Sequence, residues 1–447
     1  MRHYALSKGL NLPITGAAGP EIKDPPRITR VAVLGDDYIG LKPRISAEEG
    51  EKVVAGTPML TDKTMPDVKI VSPVSGTVVE INRGARRKLI SIVVEVDEAE
   101  DAPIDFSKDS NTETREGLTE LLCKAGLWSS FRTRPYSKVA MPGSLPEAIY
   151  ITATDTEPLA ANPADVIALE AEAFAAGAKA VSGLCEGKTF VCTNGDGRIP
   201  SIDGQNIETV SFTGPHPAGL AGTHMHFLVP PNAAKTVWTI GYHDVITIGR
   251  LLLTGQYDPS RVIALCGPAC SNPRIVKVPA GASMEQLFDD DIVAELPVRM
   301  ISGSVLSGKA GEGADAYLGR YARQATLMEE DHKQIPMGWI RPMASKYSFQ
   351  PVLGSAFVKK LYALTTNLNG GRRAMVPIGT FEELMPQDYL PTQLLRALLV
   401  MDTDQAQALG ALELDEEDLG LLGFACPAKY EYGMALRDCL SKIEKEG

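Results

Sequence analysis

Hydrophobic residues in the first hundred positions come in short β-branched runs separated by turn residues. The runs occupy residues 28–35, 52–60, 69–81 and 88–96. Runs of this length and composition are typical of short strands joined by turns. We therefore predict a compact all-β module over residues 1–100, followed by a polar, acidic linker at 97–117 that has no periodic apolar positions.

The hydrophobic pattern changes after the linker, over residues 101–255. Short apolar runs at 148–154, 189–194 and 208–214 alternate with longer segments at 163–178 and 244–255. The segment 163–178 has apolar residues at helical spacing. Alternating strands and helices predict an α/β domain with a partly parallel sheet.

The last third of the chain divides into a second β-rich part and a helical tail. Residues 256–330 contain strand-like runs at 261–270 and 298–308, and we predict a smaller sheet domain there. Residues 331–447 form a mixed region in which the clearest helical patterns are 391–402 and 435–447. The fold class is therefore multidomain α/β.

Composition narrows the possible classes of function. The 447 residues are 44% hydrophobic and 22% charged, which is typical of a globular protein. The longest apolar stretches, such as 245–253, fall short of the roughly 20 residues that span a bilayer, and residues 1–13 lack a secretory signal core. A net charge of −12 disfavours direct binding to nucleic acid or anionic lipid. We expect a cytoplasmic protein that reaches a membrane only through partner proteins.

Two glycine motifs resemble nucleotide-binding loops but lack the required context. The segment 183–189 is one residue shorter than a phosphate-binding P-loop, and a helix precedes it while a strand follows. The segment 311–316 fits a dinucleotide fingerprint, with Asp331 at the distance of a ribose-binding acid, but leaves no room for a crossover helix. We predict a turn between strands at 311–316 and no nucleotide site at either motif.

Histidines and aromatic residues offer the best candidates for a ligand contact. His216, His224 and His226 lie in a glycine- and proline-rich loop, and we expect the last two to share one face of a strand. A metal is the minor alternative, because no third ligand and outer carboxylate are evident. The segment 238–244, read as an aromatic strand, adds Trp238, Tyr242 and His243. Packing within the sheet is the competing interpretation for all six residues.

The sequence gives no support for disulfides, for cysteine-bound metals or for nucleophilic catalysis. The seven cysteines are scattered and odd in number, which predicts reduced thiols. Cys266 with Cys270, and Cys426 with Cys439, each lack the C-x-x-C partner of a zinc or iron–sulfur site. No Ser, His and Asp set has a recognisable arrangement. We predict no catalytic residue and no metal ligand in this chain.

Residues 44–60 and 72–81 resemble the barrel-sandwich hybrid of biotinyl and lipoyl carrier domains. In those domains the modified lysine lies on a hairpin between the two halves. The hairpin at 62–66 has Lys63 but lacks the methionines that flank a carrier lysine. The fold is therefore expected, and a carrier function is kept as an alternative, together with that of a flavin- or NADH-binding redox protein.

Many segments in one order resemble the NqrA family, whose members are subunits of the Na+-translocating NADH:quinone oxidoreductases. They are residues 8–16, 75–84, 214–227, 301–308, 317–321, 369–379 and 429–433. The resemblance covers nearly the whole chain. It implies a six-subunit complex that passes electrons from NADH to ubiquinone and exports sodium.

The resemblance also implies a role and a plan for the domains. Members of this family are peripheral on the cytoplasmic face of the bacterial inner membrane and hold no flavin or cluster. Their plan is a barrel-sandwich hybrid, a Rossmann-like domain, a β-grasp domain and a helical tail. Residues 131–142 lack the glycines that bind FMN in related electron-input subunits. We expect docking on the membrane subunit near its quinone site, with ubiquinone as a possible ligand of the six histidine and aromatic candidates.

Overall fold

The computed structural model describes residues 2–97, 102–107, 112–289, 291–292, 297–338 and 341–446. Strands in these ranges are numbered along the chain. They are β1 (Arg2–Ala5), β2 (Ile22–Lys23), β3 (Arg30–Leu34), β4 (Pro43–Ile45), β5 (Lys52–Val53), β6 (Pro58–Asp62), β7 (Lys69–Val71), β8 (Gly76–Arg83), β9 (Leu89–Val96), β10 (Arg132–Arg134), β11 (Ala148–Ala153), β12 (Lys188–Thr193), β13 (Ile207–Thr213), β14 (Val237–Gly241), β15 (Arg261–Cys266), β16 (Arg274–Val278), β17 (Val298–Ser302), β18 (Lys309–Ala310) and β19 (Gln324–Glu329).

The helices are numbered in the same way. They are α1 (Arg115–Lys124), α2 (Pro163–Leu169), α3 (Ala171–Ser182), α4 (Ala221–Leu228), α5 (Tyr242–Thr254), α6 (Met284–Leu287), α7 (Thr380–Leu384), α8 (Pro391–Leu399), α9 (Thr403–Ala408), α10 (Glu416–Ala425) and α11 (Tyr432–Glu446). None of those in the described ranges combines the length and apolar character that crossing a bilayer requires.

The first module consists of two antiparallel sheets that share one core. One sheet has the order β3-β9-β8-β5 and the other has β4-β6-β7. Val31 and Val94 from the first sheet pack with Leu60 and Ile70 from the second, and all four are buried. Alternation of apolar and polar positions along each strand directs one face of each sheet inward. The predicted barrel-sandwich hybrid is confirmed.

The second unit is a mostly parallel sheet with helices on both faces. Its order is β1-β13-β12-β11-β14-β10, and only β10 runs antiparallel. Helices α3 and α5 cover one face, where Phe174 and Val245 are buried. Helix α4 covers the other face and buries Met225. The predicted α/β architecture is confirmed, and β1 at the amino terminus completes this sheet.

The third sheet has the order β18-β17-β19-β15-β16-β2. Its core is formed by residues such as Ile263, Val276 and Leu327, with α6 packed against it. The motif at 311–316 is a short 3-10 turn at Gly313–Asp315 between β18 and β19, as predicted. Helices α7 to α11 then form a small bundle around Leu394, Leu422 and Leu436.

One predicted strand is a helix, and a second predicted strand ends earlier than expected. His224 and His226 lie on helix α4, so their side chains do not share one face. The strand that contains Trp238 ends at Gly241, and a helix begins at Tyr242. Both segments are largely buried, including polar residues such as His224 and His243, and periodicity does not separate a buried helix from a buried strand.

Candidate functional site

The carboxyl edge of the parallel sheet is the position where open α/β folds bind ligands. Strand order reverses between β11 and β14, because β12 and β13 lie on one side of β11 and β14 lies on the other. Such a reversal leaves a crevice at the carboxyl ends of the two strands. The loop that follows β11, residues 154–159, enters this crevice and contains Asp155 and Glu157.

Asp155 and Arg323 form an ion pair at this edge. A guanidinium nitrogen of Arg323 lies 3.1 Å from a carboxylate oxygen of Asp155, whose side chain is 2% exposed. Burial raises the pKa of the Asp155 carboxyl, and the Arg323 charge opposes that rise. Because Arg323 immediately precedes β19, this pair joins the parallel sheet to the third sheet.

Glu157 is held by two serines from the third sheet. Its carboxylate accepts hydrogen bonds from Ser304 Oγ at 2.6 Å and from Ser307 Oγ at 2.7 Å. Burial raises the pKa of Glu157, and the two hydroxyl donors oppose the rise. The segment 301–308 therefore acts as a clamp on the loop that follows β11.

His216 lies beside the same loop. Its Nδ1 is 3.2 Å from Thr156 Oγ1, and its backbone N–H donates to Asn11 at 3.0 Å. No described residue forms a hydrogen bond with its buried Nε2. Burial lowers the pKa of His216 to about 4, although the Asp155 charge acts in the opposite direction. The imidazole is therefore neutral at pH 7.

The other interior candidates have structural partners. His224 Nε2 donates to the Ala218 carbonyl at 3.0 Å, and the ring packs 4.4 Å from Phe212. His243 Nε2 donates to the Val262 carbonyl at 2.7 Å. Burial lowers the pKa of each to about 3. Both rings are neutral donors inside the protein.

The two aromatic candidates also lie in the interior. Trp238 packs edge-on against Trp128 at 5.6 Å, and it is fully buried. Tyr242 is fully buried as well, and its hydroxyl has no hydrogen-bond partner among the described residues. Burial raises the pKa of Tyr242 above its ordinary value. Contact of these residues with a quinone stays a prediction.

His226 differs because it reaches the surface. Its Nδ1 lies 3.0 Å from Glu413, and its Nε2 lies 2.9 Å from the exposed Asp388. Burial lowers the pKa of His226, but the hydrogen bond and charge of Glu413 and the charge of Asp388 outweigh it, so the pKa is raised. This cluster joins α4 to the helical bundle.

The remaining sequence motifs have the following positions in the fold. Helix α3 precedes the glycine motif at 183–189, and β12 begins at Lys188, which is the reverse of a phosphate-binding loop. Lys63 is exposed in the hairpin between β6 and β7. The cysteines are buried free thiols. Among the described residues, no group of three or more His, Cys, Asp and Glu side chains could hold a metal ion.

Sequence reasoning missed Asp155, Glu157 and Arg323. The three residues carry no local motif, and their partners lie about 150 residues away in the chain. An acidic pair directly after the first strand of a predicted parallel sheet was the available signal, because carboxyl ends of parallel strands share one edge. The identity of the partners required the fold.

A second candidate site is an irregular segment that displays apolar side chains. Residues 331–379 contain one short 3-10 helix, Gly354–Phe357, in their described part. Exposed apolar side chains follow one another along its second half; Phe357 is 93% exposed. We call them the apolar surface, and they are Val352, Phe357, Val358, Leu361, Leu368, Val376 and Ile378.

Tertiary contacts hold the backbone beneath the apolar surface. Tyr362 is buried, and its backbone exchanges hydrogen bonds with Pro13 and Thr15 of the amino-terminal segment. Arg373 donates its backbone N–H to Ala428 at 3.1 Å. These contacts fix the segment on the helical bundle, so that its apolar side chains point outward from a defined support.

Comparisons with known proteins agree over the whole chain. Residues 4–97 match the NqrA N-terminal barrel-sandwich hybrid domain, residues 113–257 match the NqrA second alpha/beta domain, and residues 262–312 match the NQRA C-terminal domain. The chain is 48% identical to the NqrA subunit of the Na(+)-translocating NADH-quinone reductase of Vibrio vulnificus (strain YJ016), over 99% of both chains. It is 47% identical to that of Pasteurella multocida (strain Pm70), again over 99% of both.

A solved structure of an NAD+-reducing [NiFe]-hydrogenase in the air-oxidized state shows a weaker likeness. It has a TM-score of 0.38 and 10% identity, and the match covers 75% of this chain and 62% of that one. A likeness at this level supports no argument about function.

Proposed function

Because the chain belongs to the NqrA family of the Na(+)-translocating NADH-quinone reductases, we propose that it docks through its apolar surface on the membrane subunit with the quinone site. The complex is a redox-driven sodium translocase, and this chain is one of its subunits. Docking would place it at the cytoplasmic face of the bacterial inner membrane. It would shape the quinone-side region without carrying electrons itself.

The apolar surface carries this proposal. Removing a Phe, Leu or Val side chain from water contributes roughly 1.5–3 kcal/mol. Apolar side chains exposed singly are normal in soluble proteins, whereas many of them within one short segment are typical of a surface that binds a partner. Seven large apolar residues between 352 and 378 remain exposed on a backbone that tertiary contacts hold in place. A protein partner that covers them would gain a stable interface.

The loop after β11 supports a role without a flavin or nucleotide. Dinucleotide folds place a glycine-rich phosphate-binding turn after their first strand. In this sheet the order reverses at β11, and the loop that follows it, 154–159, has no glycine and has two carboxyl groups, those of Asp155 and Glu157. Ionised carboxylates at this position would repel phosphate. These residues do not form a phosphate cradle, and we derive no electron-transfer step through this edge.

The six predicted quinone-contact residues differ in how accessible they are to a ligand. Of these, His226 has a surface position, whereas His216, His224, Trp238, Tyr242 and His243 are buried. Among the candidates, we therefore propose His226 as the one that lies toward a docked partner.

The proposal is tested in the intact complex with a matched pair of variants. Leu361→Asp changes a 61% exposed residue of the apolar surface, and Leu145→Asp changes a 51% exposed loop residue elsewhere. The complex is purified through a tag on a different polypeptide of the assembly. We expect Leu361→Asp to reduce the amount of this chain that co-purifies and to reduce quinone reduction by NADH. Leu145→Asp should leave both unchanged.

Two results would contradict the docking proposal. One is normal recovery of the Leu361→Asp chain in the complex. The other is an equal loss with both variants, which would show that any added surface charge disrupts the assembly. Circular dichroism and the unfolding temperature of each purified variant identify a folding defect.

A further inference from the structure

The segment that carries the apolar surface is also the most basic part of an acidic chain. Residues 332–379 contain seven Lys and Arg residues and no Asp or Glu. The rest of the chain has 37 Lys and Arg residues against all 56 Asp and Glu residues. Since exposed charges interact over about a Debye length of roughly 8–10 Å, an approaching surface responds to this local charge.

The cations of this segment lie close together in the fold. Lys360 Nζ lies 5.1 Å from the centre of the Tyr362 ring, and that ring lies 5.7 Å from the ring of Tyr347. The neighbouring Lys346 donates a hydrogen bond to the Asn369 side chain. These contacts bring Lys346 and Lys360 to the same part of the segment.

A second group of cations continues this surface. Arg373 extends along Gly370, since a Cβ atom added to that glycine would lie 3.0 Å from its guanidinium. Gly370 follows Asn369, the partner of Lys346. We call the whole group the basic surface, and it consists of Lys346, Lys359, Lys360, Arg372 and Arg373.

Carboxylates do not neutralise the basic surface. Within the described ranges, no Asp or Glu forms an ion pair with any of its five residues, whereas arginines such as Arg250, Arg320 and Arg437 have such partners. Lys359, Lys360, Arg372 and Arg373 are exposed. The charges are therefore available to an external anion.

We propose that the basic surface binds the anionic headgroups of phospholipids at the membrane. Cations interleaved with exposed apolar side chains are the pattern of interfacial lipid binding, in which charges meet phosphates and apolar groups enter the acyl boundary. Phe357, Val358 and Leu361 directly flank Lys359 and Lys360 and supply that apolar component. A wholly polar, acidic protein face would pair with the charges but would leave the apolar side chains between them exposed to water.

The lipid-binding inference extends the proposed function and rests on it for the position of the segment beside the membrane. Docking on a membrane protein of the complex places residues 332–379 next to the bilayer, and lipid contact then adds to the protein interface. The whole-chain charge of −12 predicted no direct lipid contact. The local charge of this segment has the opposite sign, so we expect the chain to approach the membrane in one orientation.

The test measures binding of the purified full-length chain to vesicles. One set contains phosphatidylcholine, and the other contains an equal mixture of phosphatidylcholine and phosphatidylglycerol. We expect binding to the mixed vesicles only, with affinity falling as salt is added. The variant K359Q/K360Q should bind about thirtyfold more weakly, because each cation near an anionic surface contributes roughly a fivefold factor.

The matched control is R86Q/R87Q, which also removes two adjacent exposed cations, from the turn between β8 and β9. It should bind like the unaltered chain. Equal weakening by both pairs would show that net charge decides binding and would overturn the proposal. Absence of binding to mixed vesicles would overturn it as well.

The two proposals fail in distinguishable ways. Suppose that K359Q/K360Q lowers recovery of this chain in the complex and that the unaltered chain does not bind mixed vesicles. The basic surface then faces a protein, and the lipid inference is wrong. If the chain binds mixed vesicles while Leu361→Asp assembles normally, docking through the apolar surface is wrong and lipid binding stands.

Discussion

Replacing Arg323 by methionine tests whether the ion pair with Asp155 holds the sheet edge together. Methionine keeps an unbranched side chain and removes the charge. Asp155, with a side chain only 2% exposed, would then be left without the guanidinium that lies 3.1 Å away. Removing one partner of a buried ion pair costs about 3–5 kcal/mol, since the remaining charge is neither hydrated nor paired.

The matched control is Arg299→Met. Arg299 also pairs with a carboxylate, that of Glu330 at 2.6 Å, but its own side chain is 40% exposed. Exposed pairs contribute about 0.2–1 kcal/mol. The same chemical change therefore predicts a severalfold larger loss at Arg323, and the difference depends on burial.

Scanning calorimetry of the purified chain measures the loss. For a domain of this size, each kcal/mol shifts the unfolding temperature by roughly 2–4 °C. Arg323→Met should lower it by about 6–20 °C at pH 8, and Arg299→Met by a few degrees at most. Equal shifts at the two positions would refute the argument that burial makes this pair important.

The pH dependence of this stability loss provides a second test, because the structure determines whether the loss should grow or shrink with pH. Burial already raises the pKa of Asp155, and Arg323 opposes the rise, so removing Arg323 raises the pKa further. A carboxyl group whose folded pKa exceeds its unfolded pKa destabilises the fold as pH increases between the two values. The loss caused by Arg323→Met should therefore be smaller at pH 5 than at pH 8. A larger loss at pH 5 would contradict the assignment.

Three further predictions concern other parts of the fold. Gly249→Ala should destabilise the α/β unit by about 2 kcal/mol, because the added Cβ atom would collide with the Ala173 carbonyl of α3. This clash outweighs the gain in helix propensity of about 1 kcal/mol. Gly241→Ala is the calorimetric control, because a Cβ atom at Gly241 would meet open space. His226→Gln should destabilise the chain more at pH 6 than at pH 9, since Glu413 helps to raise the histidine pKa and the stabilisation is lost as pH rises through it. The seven buried thiols should react with Ellman's reagent in urea and stay unreactive over minutes in the native protein.

Local hydrophobic patterning predicted most of the strands, but it did not predict that β1 and β2 from the first 23 residues belong to the second and third sheets. The runs at 28–96 became β3 and β5 to β9, and those at 148–154, 189–194 and 208–214 became parallel strands. Patterning failed where a helix is buried on most sides, including at its polar residues. The helix that carries His224 and the helix that begins at Tyr242 are both largely buried, so polar positions do not reveal their period.

The candidate site was harder to predict from the sequence, because its residues interact with partners that are far away along the chain. Asp155 and Arg323 are 168 positions apart, and their pairing depends on how two sheets meet. The histidines drew attention through residue type, yet His224 and His243 are neutral donors to backbone carbonyls in the interior. Residue type indicates possible chemistry, but burial decides whether that chemistry reaches a ligand.

The basic surface shows why net charge is a poor guide to what a large protein binds. A membrane several Debye lengths from the acidic part of the chain is screened from it. At contact it meets the residues within reach, and residues 332–379 contain no carboxylate. The same total charge then has two effects, since the acidic remainder keeps the rest of the molecule away from anionic lipid while the basic surface approaches it. Spreading the seven cations evenly over the chain would leave the net charge unchanged and remove the preferred orientation.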